Sequence, residues 1–170
     1  MLDTAGLPFR IGRLKQEDFP AKAGPFFEYI ASEVFRDDLD EGRGLVVWGD
    51  AAIRGDLLSI ACKAFALSGI STHYVTLHQL VGILTADETE RRAPLARCDH
   101  LFVDWFEQAF PGDECPYTTR ERAIVQEFLN GRIKGDKHNH YATNRDWQHL
   151  KWWSADFLGQ HQPRTRSVNV

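Results

Sequence analysis

Two glycines, Gly49 and Gly55, bracket the segment GDAAIRG, which joins an apolar run (residues 45–48) to a stretch of helical periodicity. Glycines at such a junction leave backbone amides bare, and amides at the start of a helix hold anions, phosphate above all. Phosphate chemistry there also wants a cation, and Arg54 is the only one in the segment; Asp56 stands at the opening of the helix. A second apolar run, 101–103, ends in Asp104, a carboxylate at the strand end where ligands of such sheets lie. A third run, 138–143, ends in Thr143-Asn144, whose amide reaches beyond the strand. Each feature has a plainer reading beside it. Gly49 and Gly55 serve equally as turn glycines, and Asp104 and Asn144 as strand-end caps bonded to backbone.

His138 and His140 alternate along the third run and so face one side. Their spacing suits a metal, but no carboxylate or cysteine lies nearby in sequence, which favours a structural role. The three cysteines, Cys62, Cys98 and Cys115, form no CxxC pattern and read as reduced thiols. Near the end, Trp147, Leu150, Trp153 and Phe157 fit one helix face, and Trp152 falls off that stripe. With Arg164 and Arg166 behind it, Trp152 suits stacking on a single-stranded base or anchoring a protein contact.

These groups need elements to carry them. The chain has 170 residues, 43% of them hydrophobic, enough for one domain with little left over. A net charge of −4 argues against a nonspecific nucleic-acid coat and tips Trp152 toward a protein partner. No apolar stretch approaches a membrane span and no leader pattern opens the chain, so a cytoplasmic protein is expected.

The pattern predicts an N-terminal arm and helix over residues 1–43. That helix has Pro25 in its first turn and Phe27, Ile30, Ala31 and Val34 at helical spacing, and a charged loop follows over 37–44. A core occupies 44–170, the whole forming one compact domain. Strands are predicted at 45–48, 72–77, 101–104, 138–143 and 167–170. Helices are predicted at 56–68 (stopped by Gly69), at 78–84, from Thr118 to near Gly131 behind a Thr118/Glu121 capping box, and around 147–158. Residues 86–99 read as a polar loop. Strands alternating with helices give an α/β class, a mostly parallel sheet with flanking helices, whose ligands lie beyond the carboxyl ends of the strands.

The collinear order LVVWGDAAIRGDLLSIACKA, LFVDWF, HYATN resembles the P-loop, Walker B and sensor-1 positions of an AAA+ ATPase. The opening AGLPFRIGRLKQEDF resembles the entry of the DnaC/IstB-like helicase loaders and transposition ATPases, and RERAIVQEFLNGRIKGDKHNHYATN resembles their segment before sensor 1. The likeness spans about residues 5–147 and implies a P-loop NTPase (AAA+ core) architecture.

The departures are chemical. With Gly55 as the last motif glycine, the lysine position is Asp56 and the hydroxyl position Leu57; aligned without a gap from the strand end, they become Gly55 and Asp56. Neither register supplies the lysine of GxxxxGK[ST]. At Walker B, Asp104 is kept, but the adjacent acid is Trp105, and Glu107 reaches that place only if the strand end is distorted. After Asn144, 26 residues remain, too few for the family's helical lid. Arg164 and Arg166 are the arginines left after Arg145, and no motif makes either one an arginine finger.

The resemblance therefore implies a degenerate, non-hydrolysing loader-like protein of a phage or mobile element. It would act in replication or transposition through a replicative helicase, a helicase loader or a related AAA+ ATPase, and would need no cofactor. Two alternatives stand beside it. One is a divergent ATPase binding Mg-ATP, with Arg54 for the lysine and Asp104 on magnesium. The other is a module for single-stranded DNA built on Trp152, Arg164 and Arg166.

Overall fold

The computed structural model describes residues 7, 14–86, 89–107 and 114–170. Most of the opening stretch that carries the loader resemblance, residues 5–6 and 8–13, lies outside them. Five strands form one wholly parallel sheet: β1 (Gly44–Trp48), β2 (Thr72–Thr76), β3 (His100–Glu107), β4 (His138–Thr143) and β5 (Thr165–Asn169). Their order across the sheet is β2-β3-β4-β1-β5. Strand β1, between β4 and the edge strand β5, sets Val46 opposite Tyr141 on β4 and Leu45 opposite Arg166 on β5.

Helices cover both faces, because the strands are buried on both sides and alternate residues feed two separate cores. One face packs Leu45, Val47, Phe102 and Ala142 under α1 (Gly24–Ala31), α2 (Glu33–Asp40) and α3 (Arg54–Leu67). The other packs Val46, Leu101, Val103 and Tyr141 under α4 (Leu77–Thr85), α5 (Thr89–Arg97), α6 (Thr119–Lys134) and α7 (Ala155–His161).

Several expectations are corrected. The first predicted helix is two: Ser32 breaks it, its Oγ accepting from Phe35 N at 3.3 Å to cap α2, and Val34 is half exposed. The charged stretch after it is the body of α2, because Asp38 is buried and accepts from Tyr29, Arg43 and Arg166. The polar loop at 86–99 contains helix α5, which Leu95 anchors in the core. The last predicted helix is a 3-10 turn, Trp147–His149, followed by a separate α7 whose cap is Ser154. The Thr118/Glu121 capping box forms as expected, and α6 runs on to Lys134.

Arg132 was invisible as a structural residue. It is buried at the end of α6, donating to Asn139 Oδ1 (2.8 Å) and to the carbonyls of Leu95, Cys98, Asp99 and His138. One guanidinium thus closes α5, α6 and β4 together at the amino ends of the strands. Beside it, His100 and His138 stack at 4.3 Å between ring centroids. His140 accepts from Leu45 N on Nδ1 (3.0 Å), so its Nε2 carries the proton toward His100 Nδ1 at 3.0 Å. Among the described residues no group of three His, Cys, Asp or Glu side chains is placed to hold a metal ion. None of their helices is long and apolar enough to cross a membrane.

Candidate functional site at the carboxyl ends of the strands

The loop from Gly49 to the start of α3 lies at the carboxyl end of β1, where the sheet order places a ligand crevice. It turns on its own atoms. Asp50 Oδ1 accepts from Ala52 N at 2.8 Å, and the Asp50 carbonyl takes the amides of Ile53 and Arg54. Lys22 meets the Asp50 carboxylate and holds it below its usual pKa. Gly49 is required here: its φ is +122°, and a Cβ would overlap the Val170 carbonyl on the β5 side.

Helix α3 begins at Arg54, five residues after Gly49, so Gly55 and Asp56 both lie in its first turn. Arg54 is only 3% exposed. Its guanidinium folds back to donate to Gly49 O at 2.9 Å, within the fields of Asp104 and Asp50. Burial pulls its pKa down, those two carboxylates push it up, and its Nε has no hydrogen-bond partner among the described residues.

Asp104, 6% exposed, fills the space beside Gly55. A Cβ at Gly55 would stand 2.6 Å from Asp104 Oδ2 and 3.0 Å from Oδ1. The same Oδ2 accepts from Tyr74 OH at 2.5 Å, and Oδ1 from Trp105 N at 2.7 Å. Burial raises the Asp104 pKa against these bonds and against Arg54. Ser59, buried one turn into α3, donates to Gly55 O at 2.8 Å. Asp56 lies at partial exposure on the next position of the helix.

The end of β3 is indeed distorted. Its register with β4 shifts between Val103 and Glu107, and Trp105 takes a positive φ of 55° with half of its surface exposed. The bulge does not deliver Glu107 to the site. Glu107 is buried, and its carboxylate is occupied by the amides of Lys151 and Trp152 at 3.0–3.1 Å. Asn144 follows β4 and donates its backbone N–H to Glu107 O at 2.9 Å; its Oδ1 is buried without a hydrogen-bond partner among the described residues. Asn144 also borders an open cavity of about 800 Å³ with Trp48, Arg145 and Lys151.

The structure brings Gly49, Arg54, Gly55, Asp56 and Asp104 together and sets Asn144 at the same sheet edge. It separates the aromatic-basic group. Trp152 is 4% exposed, in the core under α6, so it offers no open face for a base. Arg164 and Arg166 lie at the other end of the sheet, at the start of β5. Arg166 is bound to Asp38 through Nε at 2.9 Å, and with Arg43 it holds that carboxyl down to about 2. Sequence reasoning missed Tyr74 as the partner of Asp104. The signal lies in the strand register and not in the sequence: Tyr74 and Thr76 pair with Phe102 and Asp104, placing the phenol and the carboxylate on one face.

Comparison with solved structures concerns the fold. The crystal structure of the DnaC helicase loader superimposes with a TM-score of 0.74 at 14% identity, over 96% of this chain and 99% of that one. DnaI matches with a TM-score of 0.69 at 16% identity, covering 96% and 94%. This chain has the AAA+ core fold. AMPPCP-bound DnaA from Aquifex aeolicus shares the AAA+ core with a TM-score of 0.68 at 18% identity, over 96% of this chain and 51% of that one. The chain spans about half the length of the DnaA structures it matches first. No protein-family model matches it, and no curated protein does so significantly by sequence.

Proposed function

We propose that this protein is a degenerate AAA+ core that acts by binding other proteins, without hydrolysing ATP. It would serve DNA replication or transposition of a phage or mobile element, with a replicative helicase, a helicase loader or a related AAA+ ATPase as partner. The fold it shares with DnaC and DnaI supports the setting. One observation carries the loss of hydrolysis: the Asp104 carboxylate packs onto Gly55, where the lysine side chain would leave the helix. A lysine there would have to displace the very carboxylate that magnesium needs. Tyr74 and Trp105 N already occupy that carboxylate, and the residue that follows it is Trp105 instead of a second acid.

A second reading has one observation in its favour. Arg54 Nε is a buried donor without a partner, which a phosphate oxygen would satisfy, as expected of a divergent ATPase.

Thermal unfolding with and without millimolar Mg-ATP separates the two. A ligand at a hundred times its Kd adds about 2.7 kcal/mol, a shift of several degrees for a domain this size. The expected result is no shift, in the wild type and in Asp104→Asn alike. A shift of several degrees that disappears in Asp104→Asn would establish a nucleotide-dependent role. The protein-binding reading itself predicts co-purification with a helicase or loader of the host, and its absence would end that reading.

A further inference from the structure

The charges of this net-acidic chain are segregated between the two faces of the sheet. On one face, α2 turns Glu33, Asp37 and Asp40 outward together with half-exposed Val34, and Arg36 is the one cation among them. The helix cannot roll to hide them, because Phe35 and Asp38 hold its inner side, Asp38 being fixed by Tyr29, Arg43 and Arg166. On the opposite face a groove of about 1,010 Å³ runs between α5 and α6. Arg92, Lys134 and Lys137 line it, and Glu127 is the sole acid among its lining residues.

The groove is built rather than incidental. Arg92 lies 5.7 Å from the centroid of the Phe128 ring, which forms part of the floor. Lys137 is fixed by donating to Arg97 O at 2.6 Å and Cys98 O at 3.3 Å and pairs with the exposed Asp99 carboxylate at 3.4 Å, so Arg92 and Lys134 carry the charge the groove offers. An eight-residue helix such as α2 is about 12 Å long, a fitting occupant for a groove of this volume.

We propose that the basic α5–α6 groove docks the acidic helix α2 of a second copy of this chain. Asp37 and Asp40 face Lys134 and Arg92, and Val34 covers apolar surface at the groove. Complementary patches on opposite faces make the contact head-to-tail, so it repeats from copy to copy instead of closing as a two-fold dimer. Neither patch belongs to the Gly49–Gly55 loop, so the association is indifferent to nucleotide. Its failure would leave the proposed function standing, and the reverse also holds.

Sedimentation velocity on the full chain tests it. Mass should rise with concentration in low salt, and the association should weaken by about tenfold or more in high salt, because exposed charge pairs are screened. Lys134→Glu and Asp37→Lys, both at exposed positions, should each leave the chain monomeric with an unchanged circular dichroism spectrum. Mixing the two variants should restore association, since each supplies what the other now lacks. A wild-type chain that stays monomeric at every concentration, or a mixture that fails to reassociate, overturns the proposal. So does binding of a single-stranded oligonucleotide that Lys134→Glu abolishes in a chain that does not self-associate; the groove would then be a phosphate-backbone site.

Discussion

Gly44→Ala should cost about 4 kcal/mol, a large part of the 5–15 kcal/mol that holds a domain of this size together. The reason is backbone, not side chain. A Cβ at Gly44 would fall on the Asn139 carbonyl oxygen of β4, with the carbonyl carbon 3.0 Å away. The usual relief, a small shift of the strand, is closed off. Gly44 pairs with Thr165 of β5 on its other side, and the next amide, Leu45 N, is committed to His140 Nδ1. Parting β1 from β4 would break that bond and open the densest part of both cores. Urea unfolding would measure the effect as a fall in midpoint at constant slope. A midpoint within experimental error of the wild type would show that β1 and β4 are less closely fitted than described.

Acid should unfold the protein well above the pH at which carboxylates protonate. Burial depresses the pKa of His100 and His161 to about 3 and holds His140 well below its ordinary value. The charged groups facing them do not rescue the cations. His138 and Arg132 add repulsion around His100 and His140, Arg164 does so at His161, and Asp99 offsets only part of it. His161 is further committed as a neutral ring, donating from Nε2 to Asn130 Oδ1 at 3.0 Å and accepting from Tyr141 OH at 2.8 Å.

Because the folded values lie below the unfolded value near 6.5, the unfolded chain binds more protons between pH 6.5 and 3. Stability is then complete above pH 6.5 and falls as the pH drops through that window. At pH 5 His100 and His161 each subtract about 2 kcal/mol, about 4 kcal/mol together, and His140 acts in the same direction. Melting temperature followed from pH 8 to pH 4.5 should be level at first and then drop steeply below about 6.5. A flat profile down to pH 5 would mean that these rings protonate freely in the native state.

Much of the architecture was legible because the strands are short, apolar and bounded by chemistry. Residues 138–143 were read with the same bounds the structure shows, and Thr118 with Glu121 announced the start of α6. What stayed hidden depends on contacts between distant residues. The helix α5 carries Pro94 and a single core residue, Leu95, so its periodicity is too weak to see. Trp152 looked like a surface ring because a continuous helix was assumed; the chain instead turns twice, and the Glu107 carboxylate draws the Trp152 amide inward. At the candidate site, the missing lysine could be read from the sequence, but its consequence could not. Only the fold shows that Asp104 has moved into contact with Gly55 and found a partner in Tyr74.

The strand order also bears on how the chain is made. β1, the most apolar strand, lies between β4 and β5, so both of its neighbours are encoded after residue 137. A ribosome adding about 5–20 residues per second leaves residues 45–48 without a hydrogen-bonding neighbour for roughly 5–20 s. From residue 107 onward β2 and β3 can pair with each other, but the centre of the sheet stays vacant until β4 is made. The nascent chain therefore shows Leu45, Val46 and Val47 to its surroundings, a natural grip for a holdase. Truncation before β4 would produce a fragment that precipitates instead of a smaller folded unit.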